Sequence, residues 1–116
     1  MKPIYKLESL LSLVDQSRED RLAAFAVFNL GLVESLASGA IGATAAVRDF
    51  YHYENCIYVN EKLKDKFAAR IMSHGIQLPD LFDALPIEEA HREFSRELAA
   101  MRALCLKILE NARQPA

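Results

Sequence analysis

The chain has 116 residues, with 14 Lys plus Arg against 16 Asp plus Glu and a formal net charge of −2. That is the length of one domain, and 52% hydrophobic with 26% charged residues is too apolar a composition for a disordered chain. A duplex-binding protein carries a basic excess, which this sequence lacks, so nucleic acid is not an expected partner.

Two cysteines, Cys56 and Cys105, cannot build a disulfide framework, and each sits among apolar neighbours as a small buried hydrophobe would. The start of the sequence, Met1-Lys2-Pro3-Ile4-Tyr5-Lys6, has neither the apolar stretch nor the small-residue cleavage site of a secretory signal. Cytoplasmic residence is therefore expected. Between residues 22 and 47 the sole charged side chain is Glu34, a length that would cross a bilayer. Polar residues and the Ser38-Gly39 pair inside that stretch favour a buried helix followed by a corner, and no membrane contact is expected.

In chain order, the first helix is carried by Pro3 in its opening turn and by Ile4, Leu7, Leu11 and Val14 at helical spacing. Asp15-Gln16-Ser17 ends it. Ser17 with Asp20 three residues on then reads as a capping box for the second helix, which runs to Leu36 or Ala37 and closes on Gly39. This helix is apolar on nearly every side, Asn29 excepted, as a helix buried centrally or by a second chain would be. The third helix is predicted from residues 42–44 to Gly75, with His74-Gly75-Ile76 as its C-terminal cap. Its apolar face drifts: Ala46, Phe50, Tyr53 and Ile57 share one stripe, and Cys56, Val59, Leu63, Phe67 and Ile71 another. The spacing predicts either a bend near residues 55–60 or a change of neighbours along the helix. Residues 75–86 read as a greasy irregular stretch holding a short helical turn at Pro79.

The fourth helix opens at Pro86, with Glu88 and Glu89 at its positive end. Ile87, Phe94, Met101 and Ile108 recur every seven residues, and His91, Leu98, Cys105 and Ala112 occupy the complementary register. The predicted architecture is a single all-α domain over residues 1–116, a four-helix antiparallel bundle with a short extra turn between helices 3 and 4.

Candidate chemistry centres on His52 and His91. Asp49 to His52 and Glu88 to His91 each set a carboxylate one helical turn from an imidazole, as di-iron bundles do with paired Glu-x-x-His motifs. Only one pair here has Glu, and Glu34 is the single interior Glu available as a third ligand, so no metal is expected. The bland reading of His91 is a partly buried imidazole within the helix-4 seam. Arg48-Asp49-Phe50-Tyr51-His52 resembles the Arg-to-His motif of the all-helical HEPN-class ribonucleases, with three intervening residues where the family has four to six. The resemblance covers one pentapeptide and would imply RNA cleavage with Arg48 and His52. No nucleophile elbow, phosphate loop or activated cysteine is present, and no cofactor is expected.

The function expected from the sequence is thus association rather than catalysis: a non-enzymatic interaction module, a regulatory adaptor or inhibitor of a partner protein, itself homodimeric. The second helix lacks a polar face, and Tyr51 and Tyr58 beside Glu54 mark a flank of the third helix that a bundle core need not use. Interface candidates are Tyr51, Glu54 and Tyr58 there, Phe28 and Leu32 on the second helix, and Leu106 outside the seam of the fourth. The alternative is a helical-bundle enzyme using His52 or His91 with RNA or a metal.

Overall fold

A computed structural model describes residues 6–12 and 17–113. Among these are six α-helices and one π-helical segment, and no strand: α1 (Leu7–Leu11), α2 (Arg18–Ala37), α3 (Ala43–Asp49), α4 (Tyr53–Tyr58), the π segment (Val59–Leu63), α5 (Lys66–Ala84) and α6 (Ile87–Arg113). Pro3, Ile4, Val14 and the Asp15-Gln16 break lie outside the described residues.

The chain is all-α as expected, and the second helix starts as its sequence signals: the Ser17 hydroxyl accepts from the Asp20 backbone N–H at 3.1 Å. At the other end Gly39 takes φ +81°, the left-handed conformation that closes a helix. The apolar 22–47 stretch divides there into α2 and α3, and among the described residues no helix is long and apolar enough to cross a membrane.

The predicted third helix is corrected in two ways. It is not continuous, and it does not end at Gly75. After α3 the backbone unwinds over residues 50–52, where Phe50 and Tyr51 are both fully buried. Phe50 packs on Phe25 and Phe28, with ring centroids 6.4 and 4.9 Å away, while Tyr51 reaches Asn29. Buried Asn55 repairs the break: its Nδ2 donates to the Phe50 carbonyl at 2.7 Å, and its Oδ1 accepts from the Leu7 N–H at 2.9 Å. One amide thereby holds both the break and the start of α1.

Of the two predicted stripes, the first is interrupted at the break, with Tyr53 76% exposed, and the second runs through the π segment. There Lys64 N–H donates to the Val59 carbonyl, one residue farther back than in an α-helix, at 2.9 Å. Val59 and Leu63, four residues apart across the segment, are both fully buried. Lys64, at φ +50°, stops the segment. Arg18 clasps that stop from the first turn of α2, its Nε donating to the Leu63 carbonyl at 2.6 Å and Nη2 to that of Lys64 at 3.0 Å. Asp65 then caps α5 by accepting from the Ala68 N–H at 2.9 Å.

α5 runs through Gly75 and Pro79 to Ala84, so the separate turn expected at Pro79 is part of this helix. Its buried positions, Ala68, Ile71, Met72, Gly75 and Leu78, form one helical stripe. Gly75 belongs to that stripe as a packing residue: a Cβ there would lie 2.5–2.7 Å from the Tyr51 ring. Pro79 removes the one N–H that would bond the Gly75 carbonyl four residues back.

Leu85 and Pro86 turn the chain into α6. The hairpin is antiparallel: His74 Nδ1 meets Glu97 Oε1 at 2.6 Å, and Phe82 packs edge-on against His91 and Phe94, both at 5.3 Å. α6 lies between α5 and α2 and packs extensively on both, whereas α2 and α5 barely touch. The seam of α6 is core through its middle, where Leu98, Met101, Cys105 and Ile108 are buried. It opens at its ends: Ile87, His91 and Ala112 are exposed, and Phe94 is half-buried.

Candidate functional site

The α2–α6 pair carries the exposed apolar side chains Val27 and Leu106. Arg102 Nη2 donates to Glu34 Oε2 at 3.3 Å across the outer edge of the pair. The C-terminal end of α2 and its cap, residues 36–39, face residues 91–102 of α6, while Glu34 pairs with Arg102, so the two helices run in opposite directions. In that register, one turn from the ion pair, Leu30 comes level with Leu106, and Val27 comes level with Leu109 one turn farther on. Val27 is 58% exposed and Leu106 52%, with Gly31, Ala99 and Ala103 exposed around them and Leu30 and Leu109 half-buried. The inward side of α2 explains why this stripe is left out: Phe25, Ala26, Asn29, Leu32, Val33 and Leu36 already fill the core contact.

At the α2 C-terminal end this surface dips into a cleft of about 460 Å³. Leu36, Phe94, Leu98 and the small side chains of Ala37 and Ala99 line it, with Ser38, Ser95, His91 and Arg102 at the rim. The small residues are what make the hollow, since bulkier ones at 37 and 99 would close the groove between the helices.

The sequence-predicted interface residues divide. Leu106 is on the exposed stripe. Tyr51 is not on a surface flank with Tyr58; it is fully buried, with its hydroxyl donating to Asn29 Oδ1 at 2.8 Å, and it leaves the candidate surface. Leu32 is likewise buried, and Phe28 is half-buried against Phe50. Tyr58 is half-buried, and exposed Glu54 pairs with Lys6 at 3.8 Å, so these two share a different face from Leu106. What sequence reasoning missed was Val27 and Leu30, whose signal was present: in a helix with no polar face, one apolar stripe must face outward from a thin domain.

The residues of the catalytic alternative occupy separate settings. Arg48 engages Asp49 in two bonds, Nε to Oδ1 at 2.8 Å and Nη2 to Oδ2 at 3.0 Å. That hydrogen bond, more than charge alone, holds the Asp49 carboxyl below its ordinary value. His52 is the N-cap of α4, its Nδ1 accepting from the Asn55 N–H at 3.4 Å. His91 is exposed along the cleft rather than buried in the seam as its heptad position suggests. Among the described residues no three His, Cys, Asp or Glu side chains gather as a metal site would need. Comparison of the chain with protein families, with curated proteins and with solved structures finds no match.

Proposed function

We propose that this chain is a non-enzymatic, cytoplasmic association module that pairs with a second copy of itself through the α2–α6 face, and in that form engages a protein partner. The observation that carries this reading is the pair of exposed apolar side chains Val27 and Leu106, with half-buried Leu30 between them in the helix register and exposed Gly31 and Ala103 beside them. Large exposed apolar patches on small domains mark association surfaces, and small residues beside them allow helices of two chains to approach closely. A two-fold pairing is self-complementary here, because each end of the stripe carries one acid and one base: Glu34 with Arg102, and Glu110 with Lys107. On this reading α3, α4 and the π segment together take the place of one helix in an antiparallel four-helix arrangement with α2, α5 and α6, whose open side the second copy covers.

Sedimentation at micromolar concentration tests it. The expected result is about twice the monomer mass for the native chain and monomer mass for the double variant Val27→Glu, Leu106→Glu, with circular dichroism unchanged. A native chain that sediments as a monomer at these concentrations overturns the self-association reading.

A further inference from the structure

We infer that the cleft between the last turn of α2 and the first half of α6 binds a small amphipathic carboxylate, an acyl chain of medium length carrying one carboxyl group. Its volume of about 460 Å³ is in the range of small-molecule sites. Its shape is elongated, since the rim residues His91 and Arg102 stand eleven positions apart on α6, about 16 Å at the helical rise. The floor is hydrocarbon and aromatic, with Leu36, Phe94 and Leu98 continuous with the core. Such a floor suits a chain of methylenes and disfavours a phosphate or sugar, which would lose hydration without gaining partners.

The rim selects the sign of the headgroup. Among the described residues no acidic side chain lines the cleft, whereas Arg102 and His91 do, and the hydroxyls of Ser38 and Ser95 add polar contacts. Arg102 is held to Glu34 by a single 3.3 Å contact with both side chains largely in solvent, 45% and 68% exposed, so a ligand carboxylate can replace Glu34 at little cost. A guanidinium fork offers that carboxylate two parallel hydrogen bonds, which a lone exposed Glu contact does not use. The carbonyl end of α2 would oppose an anion, but it is already engaged. The carbonyls of Glu34, Ser35 and Leu36 accept from the N–H groups of Ser38, Ile41 and Gly39. The carboxylate also belongs at the Arg102 end, about a turn away from that terminus.

Methyl NMR titration with octanoate, octanol and octylamine tests this independently of self-association, because sedimentation of the same samples reports the oligomer separately. Octanoate should give saturable shifts confined to the methyls of Leu36, Ala37, Leu98 and Ala99. Octanol and octylamine should bind at least about ten-fold more weakly, and Arg102→Gln should reduce octanoate to the octanol level. Ala99→Phe, at an exposed position, should fill the cleft and abolish the shifts while leaving the thermal melt in place. If Ala99→Phe disturbs the fold, Arg102→Gln alone still decides the matter. Equal binding of octanoate and octanol, shifts that map elsewhere, or no saturable shift at all would overturn the assignment.

Discussion

Tyr51 shows how one side chain can be misplaced by spacing alone. In an unbroken helix its position falls on the outer flank with Tyr58, but the unwinding at residues 50–52 turns it into the centre of the molecule. There its ring lies against Gly75 and its hydroxyl donates to Asn29 Oδ1, while Asn29 Nδ2 donates to the Phe25 carbonyl at 3.0 Å. Removing the hydroxyl leaves the Asn29 oxygen buried without its donor, so Tyr51→Phe should lower stability by about 1–2 kcal/mol in urea unfolding. The same burial, with Cys105 nearby as a smaller cause, pushes the Tyr51 phenol far above its ordinary value, and burial pushes the Cys105 thiol up to about 12. Both are neutral acids that bind their protons more tightly folded than unfolded. Their contribution is therefore intact below the unfolded values and is lost as pH rises, for Cys105 between its ordinary 9.0 and about 12. The phenolate absorbance of Tyr51, isolated as the difference between the native chain and Tyr51→Phe, should rise together with the loss of helical circular dichroism. A phenolate step well before unfolding would show that the ring is not sealed in.

Among the elements, the two glycines that a helix scale treats alike should behave oppositely. Gly31 is exposed in mid-α2 with open space where a Cβ would stand, so Gly31→Ala should stabilise by about 0.5–1 kcal/mol. Gly75 is also mid-helix, but its added methyl would overlap the Tyr51 ring at 2.5–2.7 Å. Gly75→Ala should therefore destabilise by about 1–3 kcal/mol despite its propensity gain, and thermal melts of the two variants should move in opposite directions. Much of this was legible in the sequence. The start of α2, the left-handed stop at Gly39, the hairpin at Leu85-Pro86 and the core seam around Met101 all follow from local patterns. The continuation of α5 was legible too, because Leu78, Phe82 and Leu85 extend the stripe of Ile71 and Gly75; Gly75 and Pro79 obscured it because they usually end helices. The break at Phe50 was not legible. It depends on Asn29 and Gly75 meeting Tyr51, and on Phe25 and Phe28 meeting Phe50, from distant parts of the chain. Of the candidate surface, Leu106 could be read from its place outside the seam, but Val27 required knowing which side of α2 the other helices leave open.

The described residues form a slab, 46 × 33 × 22 Å, and its thin dimension is about two helix diameters. No long helix can be enclosed on all sides at that thickness, which is why an α2 without a polar face ends up with an apolar outer stripe. Within the slab the contacts are uneven. α2, α5 and α6 are 19 to 27 residues long and are tied together through α6, while α1, α4 and the π segment are five or six residues each. Helices of that length have no stability of their own and persist only where neighbours fix them. For the π segment a principal fixture is Arg18, whose guanidinium satisfies two carbonyls at the segment's end and links it to α2. The consequence is a graded opening, in which the short pieces can release without unfolding the three long helices. Native-state hydrogen exchange should show amides of residues 59–68 exchanging through a lower-energy opening than those of buried Met101 or Val33. Arg18→Ala should accelerate exchange at residues 59–68 by ten-fold or more, corresponding to about 1.4 kcal/mol, because two carbonyls lose their donor at once. The exchange of the central α6 amides should change much less. If all amides accelerated equally, Arg18 would be stabilising the molecule as one cooperative unit, and the short elements would have no independent opening.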